Sequence, residues 1–316
     1  MSTSIDNLPN VYNIKTLPLV SVIIPTYNQE SYIADAIESA LKQDYPNLEI
    51  VIADDCSSDG TSKAIERYLK EPKVRYHRNP RNLGRVGNYH QAAHDLASGE
   101  WVVNLDGDDY FTSSDFISTA IRTILEVGKN DIEGYCYGHN IGKIEQTIHA
   151  RRLTDNAILV SGKDYFINYY KYGGFGHLNT IYRRETGLNI GMYSLPCQAS
   201  DFHSIMRIFL HGHIILDNRE IGYWRVHQNN ATILGIEQKL TEARDTFNGL
   251  EQYAKDFFSE EELKEWRENM DRMAQQDYIS TRVRRIRDLK SLRLLLAHPS
   301  FTREYVRNWY GFIFNR

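Results

Sequence analysis

Trp101-Val102-Val103-Asn104-Leu105-Asp106-Gly107-Asp108-Asp109 is the stretch on which the fold turns. Its first five residues form an apolar run expected to be a buried strand. Three carboxylates within four residues then sit at that strand's C-terminal mouth, the edge where α/β sheets hold their ligands. Like charges so close repel one another unless a cation neutralises them. Carboxylate oxygens are hard ligands, which points to Mg2+ or Mn2+ rather than zinc. The ordinary alternative is a solvated Asp-Gly turn. The apolar run before the acids, and the helix signal Ser113-Ser114-Asp115 ahead of Phe116, Ile117 and Ile121, favour the metal.

Outward from this point, strand and helix patterns alternate. Leu19 to Ile24 is expected to be a buried strand stopped by Pro25. Ile33, Ala36, Ile37, Ala40 and Leu41 have helical spacing within Tyr32 to Leu41. Leu48 to Ala53 is a second strand and Thr61 to Leu69 a second helix. Val74 to His77 is a third strand, and Val86 to Leu96 a third helix. Short links between them imply a parallel sheet covered on both faces. Beyond about Ile132 the alternation loosens into Gly- and Tyr-rich stretches such as Tyr169 to Gly176. Ser200 to His211 reads as a helix; Ile214 to Asp217 and Tyr223 to Val226 read as short strands. Helical patterns dominate from Ile236, and Ser259 to Glu262 is a capping box.

The chain has 316 residues, 41% of them hydrophobic and 25% charged, as expected for a globular protein with a large core. A formal net charge of -4 argues against nucleic acid as a partner. Cys56, Cys136 and Cys197 are odd in number, widely spaced and in no C-x-x-C pattern, which fits a reducing compartment. Met1 to Thr16 lacks the basic-then-apolar pattern of a signal peptide, and no apolar stretch approaches the roughly 20 residues that span a bilayer. The expected location is the cytoplasm, with the inner face of the cell membrane as a site of peripheral contact.

Each of the four early strands ends in a polar loop. Pro25-Thr26-Tyr27-Asn28 follows the first and Asp54-Asp55-Cys56-Ser57 the second; Arg81 to Asn88 follows the third and the acidic tetrad the fourth. In a parallel sheet these loops converge on one edge. Together they would supply an aromatic ring (Tyr27), acceptors for a base or ribose (Asp55, Asp106), a cation (Arg85) and metal carboxylates, a set that suits a nucleoside diphosphate. Neither G-x-G-x-x-G nor a P-loop lysine motif is present.

The ordered motifs Val20 to Asn28, Asp54-Asp55-Cys56-Ser57-Ser58-Asp59-Gly60-Thr61, Asn82-Leu83-Gly84 and Leu105-Asp106-Gly107-Asp108-Asp109 resemble the family 2 glycosyltransferases of the GT-A fold. The resemblance spans roughly Leu19 to Thr232. It implies a nucleotide-sugar donor, a divalent cofactor (Mn2+ or Mg2+) and transfer with inversion at the anomeric carbon. By position, it places Pro25, Tyr27 and Asp55 on the base, with Thr26 in the same loop. Arg85 falls on the base or diphosphate, Asp106 on the ribose and Asp108 on the metal, while Asp109 assists there or holds the loop. Relatives usually carry Gly where Cys56 stands, a change expected only to stiffen the loop.

Ser200-Asp201-Phe202-His203 is similar to the acid pair that holds the family's catalytic base. Asp201 aligns with the second acid and Ser200 replaces the first. One well-placed carboxylate suffices to take the acceptor's proton; the alternative is that Asp201 only caps a helix. Arg225 to Asn230 resembles the family's late His segment, so His227 is a candidate metal ligand, against a purely structural role. Thr281 to Arg316 is strongly basic and bears Trp309, Tyr310, Phe312 and Phe314. It suits either an anionic membrane surface or packing against the catalytic domain.

The expected fold class is α/β: a GT-A arrangement, Rossmann-like and mostly parallel with helices on both faces, plus a helical C-terminal extension. The expected domains are a loose arm at 1–17, a glycosyltransferase domain at 18–235 and the extension at 236–316. The expected activity is transfer from a nucleoside diphosphate sugar, UDP favoured, to a hydroxyl of a surface glycan or lipid-linked saccharide. A non-catalytic nucleotide-sugar or glycan-binding subunit is the rival from another class. A nucleotidyltransferase is disfavoured because Pro25 to Glu30 offers no Gly-rich basic loop.

Overall fold

A computed structural model describes residues 17–172, 176–197, 199–227 and 236–285. The first strand, β1 (Val20–Thr26), runs through Pro25 instead of stopping there. Its pairing with the neighbouring fourth strand ends at Ile23↔Asn104, so the missing proline N–H leaves no ladder position unfilled on that side. The helix α1 (Ile33–Leu41) buries Ile33, Ala36, Ile37 and Ala40 on one stripe. There follow β2 (Leu48–Asp54), α2 (Thr61–Glu66), β3 (Val74–Arg78) and α3 (Arg85–Gln91), which continues as a π-helical turn over Ala92–Leu96. Next come β4 (Trp101–Asn104), the short β5 (Tyr110–Phe111), α4 (Phe116–Val127), β6 (Ile132–Cys136) and α5 (Ile141–Glu145). The region that looked irregular holds β7 (Ala150–Arg152), β8 (Ala157–Ser161), α6 (Gly162–Tyr172), β9 (Thr180–Arg183) and α7 (Arg184–Asn189). After them come α8 (Ser200–Phe209), β10 (His213–Asp217), β11 (Gly222–Tyr223), α9 (Ile236–Ala254) and α10 (Glu260–Arg285). The strand expected at Tyr223 to Val226 is therefore shorter and lies one residue earlier.

The main sheet has the order β3-β2-β1-β4-β9-β6-β10-β8-β7. Its first four strands are parallel, as the alternation implied. The strand β9 then runs antiparallel between β4 and β6, and β8 and β7 close the far edge antiparallel. The sheet is mixed and mostly parallel near the motifs. Order reverses at β1, which lies between β2 and β4, and a crevice at such a switch point is where open α/β sheets bind ligands.

Side-chain alternation along β1 divides the interior. Val22 and Ile24 pack with α1, α2 and α4, while Ile23 faces the layer that includes α3, α6, α8, α9 and α10. Helices α9 and α10 contribute Phe247, Leu250, Leu263, Trp266 and Met270 to that second layer. The Trp266 ring stacks on Phe166 with centroids 4.9 Å apart, and its indole N–H donates to the Phe166 carbonyl at 3.1 Å. The expected capping box opens α10: Ser259 N–H donates to Glu262 Oε2 at 2.8 Å, and Glu262 N–H to Ser259 Oγ at 3.3 Å. Among the described residues no helix is long and apolar enough to cross a membrane. The arm before Leu17, Gly173 to Phe175, Gln228 to Gly235 and the basic segment beyond Arg285 lie outside the described residues.

Candidate active site

The loops after β1, β2, β3 and β4 lock to one another. Asp55 N–H donates to the Thr26 carbonyl at 2.9 Å, and Gly107 N–H to the Pro25 carbonyl at 3.3 Å. Asp55 is buried, and its Oδ1 accepts from Leu83 N–H at 2.7 Å and from Asn79 Nδ2 at 3.0 Å. Asn82 Nδ2 donates to the Asp55 carbonyl, and Asn82 Oδ1 accepts from Gly84 N–H at 2.9 Å. The Asn-Leu-Gly motif is thus a clamp on Asp55. Gly84, at φ +78°, makes the left-handed turn that releases the chain into α3. Among the described residues, both hydrogen bonds to the Asp55 carboxylate fall on Oδ1 and none on Oδ2. Asp54, by contrast, is wholly buried and accepts from Ser57 N–H, Ser62 Oγ and Tyr76 OH, so it is a bracket within the loop. Tyr27 is 48% exposed beside this clamp, with its ring available for stacking.

Asp106, Asp108 and Asp109 each offer a carboxylate oxygen within 4.8 Å of the others. Gly107 is required between them. A Cβ there would meet Gln29 Oε1 at 2.3 Å and Thr26 Oγ1 at 2.8 Å. Asp109 is 1% exposed; its Oδ1 accepts from Arg225 N–H at 2.8 Å. Its pKa is pushed up to about 8 by burial first and by the charge of Asp106 next, with Asp108 adding to them against the Arg225 N–H. Asp108 is raised for the same two leading reasons, against a hydrogen bond to His227, whose Nε2 lies 2.8 Å from Asp108 Oδ2. Hard oxygen donors that resist sharing negative charge fit a divalent cation.

Arg225 organises this loop from far along the chain. Besides its N–H on Asp109, its Nε donates to the Asp108 carbonyl at 3.0 Å and its guanidinium pairs with Asp35 at 2.7 Å. The guanidinium carbon lies 4.9 Å from the Tyr32 ring centroid and 5.5 Å from that of Tyr110. The other neighbours extend the column, with Tyr223 stacked on Tyr110 and His227 stacked on Tyr32 at 4.9 Å.

Asp201 occupies the first turn of α8, one residue inside its start, but it is not the cap: that position is Ala199. Its Oδ2 faces His177 Nδ1 at 2.6 Å, and His177 Nε2 faces Asp106 Oδ2 at 3.1 Å. Tyr89 OH donates to the other Asp106 oxygen. Burial opposes charge on both partners, yet each carboxylate raises His177 well above the usual imidazole range. Burial likewise works against Asp201, but the His177 charge and hydrogen bond, helped by Phe202 N–H and the Arg85 charge, hold it below the usual carboxylate range. Arg85 opens α3 on the same rim and donates to the carbonyl of Cys197, in the loop before α8, at 3.2 Å.

The structure therefore brings Pro25, Thr26, Tyr27, Asp55, Arg85, Asp106, Asp108, Asp201 and His227 to one edge of the sheet. Sequence reasoning missed Asn79 and Tyr89, the grip of Arg225 on the acidic loop, and above all His177. The Gly- and Tyr-rich stretch noted from the sequence, Tyr169 to Gly176, stops one residue short of His177. The one available signal was an isolated His ahead of the β-branched run that forms β9.

The model for glycosyl transferase family 2 matches residues 21–204, more than half of the chain. The chain belongs to this family. Poly(ribitol-phosphate) beta-N-acetylglucosaminyltransferase TarS of Staphylococcus aureus is 40% identical over 92 residues, 28% of this chain and 16% of that protein. The GalNAc(5)-diNAcBac-PP-undecaprenol beta-1,3-glucosyltransferase of Campylobacter jejuni is 31% identical over 156 residues, 48% of each. The chain thus spans less than half the length of either curated relative. Among solved structures, TarS 1–349 in complex with UDP-GlcNAc superposes with a TM-score of 0.64 at 20% identity, covering 87% of this chain and 78% of that one. The mannosyltransferase PcManGT of Pyrobaculum calidifontis, in complex with GDP-Man and Mn2+, gives 0.60 at 17% identity over 94% and 84%. At these identities the likeness shows a shared GT-A fold.

Proposed function

We propose that this protein transfers a sugar, with inversion, from a nucleoside diphosphate sugar to a hydroxyl of a surface glycan or lipid-linked saccharide. One observation carries the reading. Asp55, the pair Asp106 and Asp108, and Asp201, from three separate segments, meet at one rim, where a single imidazole joins Asp201 to Asp106. Tyr27 would stack on the base and Asp55 Oδ2 would accept from its edge, while Asp106 would take the ribose hydroxyls. UDP is the favoured nucleotide because TarS, a relative in sequence and in fold, is solved with UDP-GlcNAc. A divalent cation, Mn2+ or Mg2+, held by Asp108 with His227 beside it, would supply positive charge to the departing diphosphate. Arg85 adds fixed positive charge on the same side, and such preorganised charge is usually the largest catalytic term.

The acceptor hydroxyl gives its proton to Asp201 as its oxygen attacks the anomeric carbon. The bond from that carbon to the diphosphate oxygen breaks, and its electron pair leaves with the diphosphate. Asp201 suits this role because His177 holds its Oδ2 at 2.6 Å on the rim that would receive the acceptor. Incubation with Mn2+ and a panel of UDP-, GDP- and dTDP-sugars should release the matching nucleoside diphosphate. Asp201→Asn should cut that rate by about 10²–10⁴-fold, and Asp108→Ala should abolish it with the fold intact. Tight nucleotide binding without turnover by the wild type would instead identify a binding subunit, the outcome that Ser200 in place of an acid would accompany.

A further inference from the structure

The most informative cluster left unused by the family motifs is the chain Tyr89–Asp106–His177–Asp201. It exists because of topology. The strand β9 runs antiparallel to β4, pairing Val103 with Ile181 and Trp101 with Arg183. Its N-terminal end is therefore delivered to the C-terminal mouth of β4, where a single 3-10 turn over His177–Asn179 sets the imidazole beside the acidic loop. The ring stands edge-on to Tyr89, with centroids 6.1 Å apart at 85°, so it is packed as well as hydrogen-bonded.

With carboxylate oxygens at 2.6 Å and 3.1 Å on its two sides, both ring nitrogens are engaged, and neither faces an incoming hydroxyl. It cannot be the base itself. What it does is fix geometry: it ties Asp201 Oδ2 on the acceptor side to Asp106 Oδ2 on the donor side. A second acid next to the base would be the usual neighbour, but this chain has Ser200 there, fully buried, with its Oγ unpartnered among the described residues. Support for Asp201 therefore comes from another element.

We propose that His177 is a positioning residue of the transfer reaction, its Nδ1 orienting Asp201 toward the acceptor hydroxyl and its Nε2 holding Asp106 toward the donor ribose. The proposal rests on the glycosyl-transfer reading above and divides one side chain into two separable duties. Each duty is separable because an Asn amide reaches about as far as Nδ1 of His, and a Gln amide about as far as Nε2.

The test compares His177→Asn with His177→Gln, using Mn2+ and whichever UDP-, GDP- or dTDP-sugar of the panel the wild type turns over, together with calorimetry of UDP binding. His177→Gln should lose about 10²-fold in kcat while donor KM and UDP affinity stay within about twofold. His177→Asn should keep kcat within about threefold and weaken donor KM and UDP binding by about tenfold. Adding Asp201→Asn to His177→Gln should lower kcat little beyond Asp201→Asn alone, since both act on the same carboxylate. Equal effects of Asn and Gln, or none, in variants that melt like the wild type would overturn the proposal and leave the glycosyl-transfer reading standing. A wild type silent with the entire panel would overturn that reading and the role of His177 with it.

Discussion

Gly107 and Cys56 show how one atom decides the shape of the rim. The acidic loop passes so close to β1 that a methyl at Gly107 would collide with the hydrogen-bonded pair Thr26 Oγ1 and Gln29 Oε1. Gly107→Ala is expected to cost about 1–3 kcal/mol of stability, as overpacked sites do, and to lower turnover by splaying Asp106 from Asp108. Denaturant melts and a donor assay check both, and unchanged activity would show that the loop tolerates the shift. Cys56 has φ +63°, the left-handed region that a side chain disfavours. The sequence expectation was of a stiffer loop; the observed backbone adds strain, and gives the reason why Gly is usual there. A left-handed non-Gly residue costs about 1–2 kcal/mol, and Gly returns about 0.5–1 of that in chain entropy. Cys56→Gly should therefore be neutral or stabilising by up to about 1 kcal/mol. A clear loss of stability on chemical denaturation would contradict this account.

At the scale of elements, the donor side is a set of loops that hold one another more than their own strands. Asn79, the residue after β3, is buried and donates both to Asp55 Oδ1 and to Asn88 Oδ1 at 3.1 Å, while Asn88 Nδ2 donates to the Ala53 carbonyl. Asn79→Ala would leave two buried acceptors without that donor, a loss of about 1–3 kcal/mol. It should also weaken UDP binding, because Asp55 would be free to turn. Calorimetry separates the two effects; unaltered affinity in a destabilised variant would mean that Leu83 N–H alone holds Asp55. These partners were invisible from local pattern, since Asn79 and Asp55 lie 24 residues apart and an Asn before a proline reads as an ordinary turn.

Across the whole molecule, α9 and α10 share the interior of the family domain. Trp266 is 1% exposed and stacked on Phe166, so Trp266→Ala should cost about 3–5 kcal/mol, as buried Trp truncations do. Thermal melting checks this, and a loss under about 1 kcal/mol would mean the helices are an appendage. Two buried histidines give the molecule an acid limit. His139 is held down to about 4 by burial, against the nearby Asp217 charge. His203, on α8 where it meets α9, is also held to about 4, by burial and then by Arg207. Both are neutral when folded and bind protons below about 6.5 when unfolded. Stability should therefore fall as pH drops from about 6.5 to about 4, by at most about 3 kcal/mol for each, and level off below. Replacing both by Gln should flatten that limb of the melting-temperature profile; an unchanged slope would assign it to carboxylates.

Local chemistry in the sequence was enough to determine the parallel β1–β4 block and the four polar loops that converge on one edge. Apolar runs, helical spacing and turn residues act between near neighbours, and a parallel block with short links has few ways to assemble. The antiparallel insertion of β9 was decided only by tertiary structure, and with it the meeting of His177, Asp106 and Asp201. So was the hold of Arg225 on residues more than a hundred positions away. Those contacts depend on which strand fills the gap beside β4, a choice made by the burial of whole faces, and no periodicity along the chain records it.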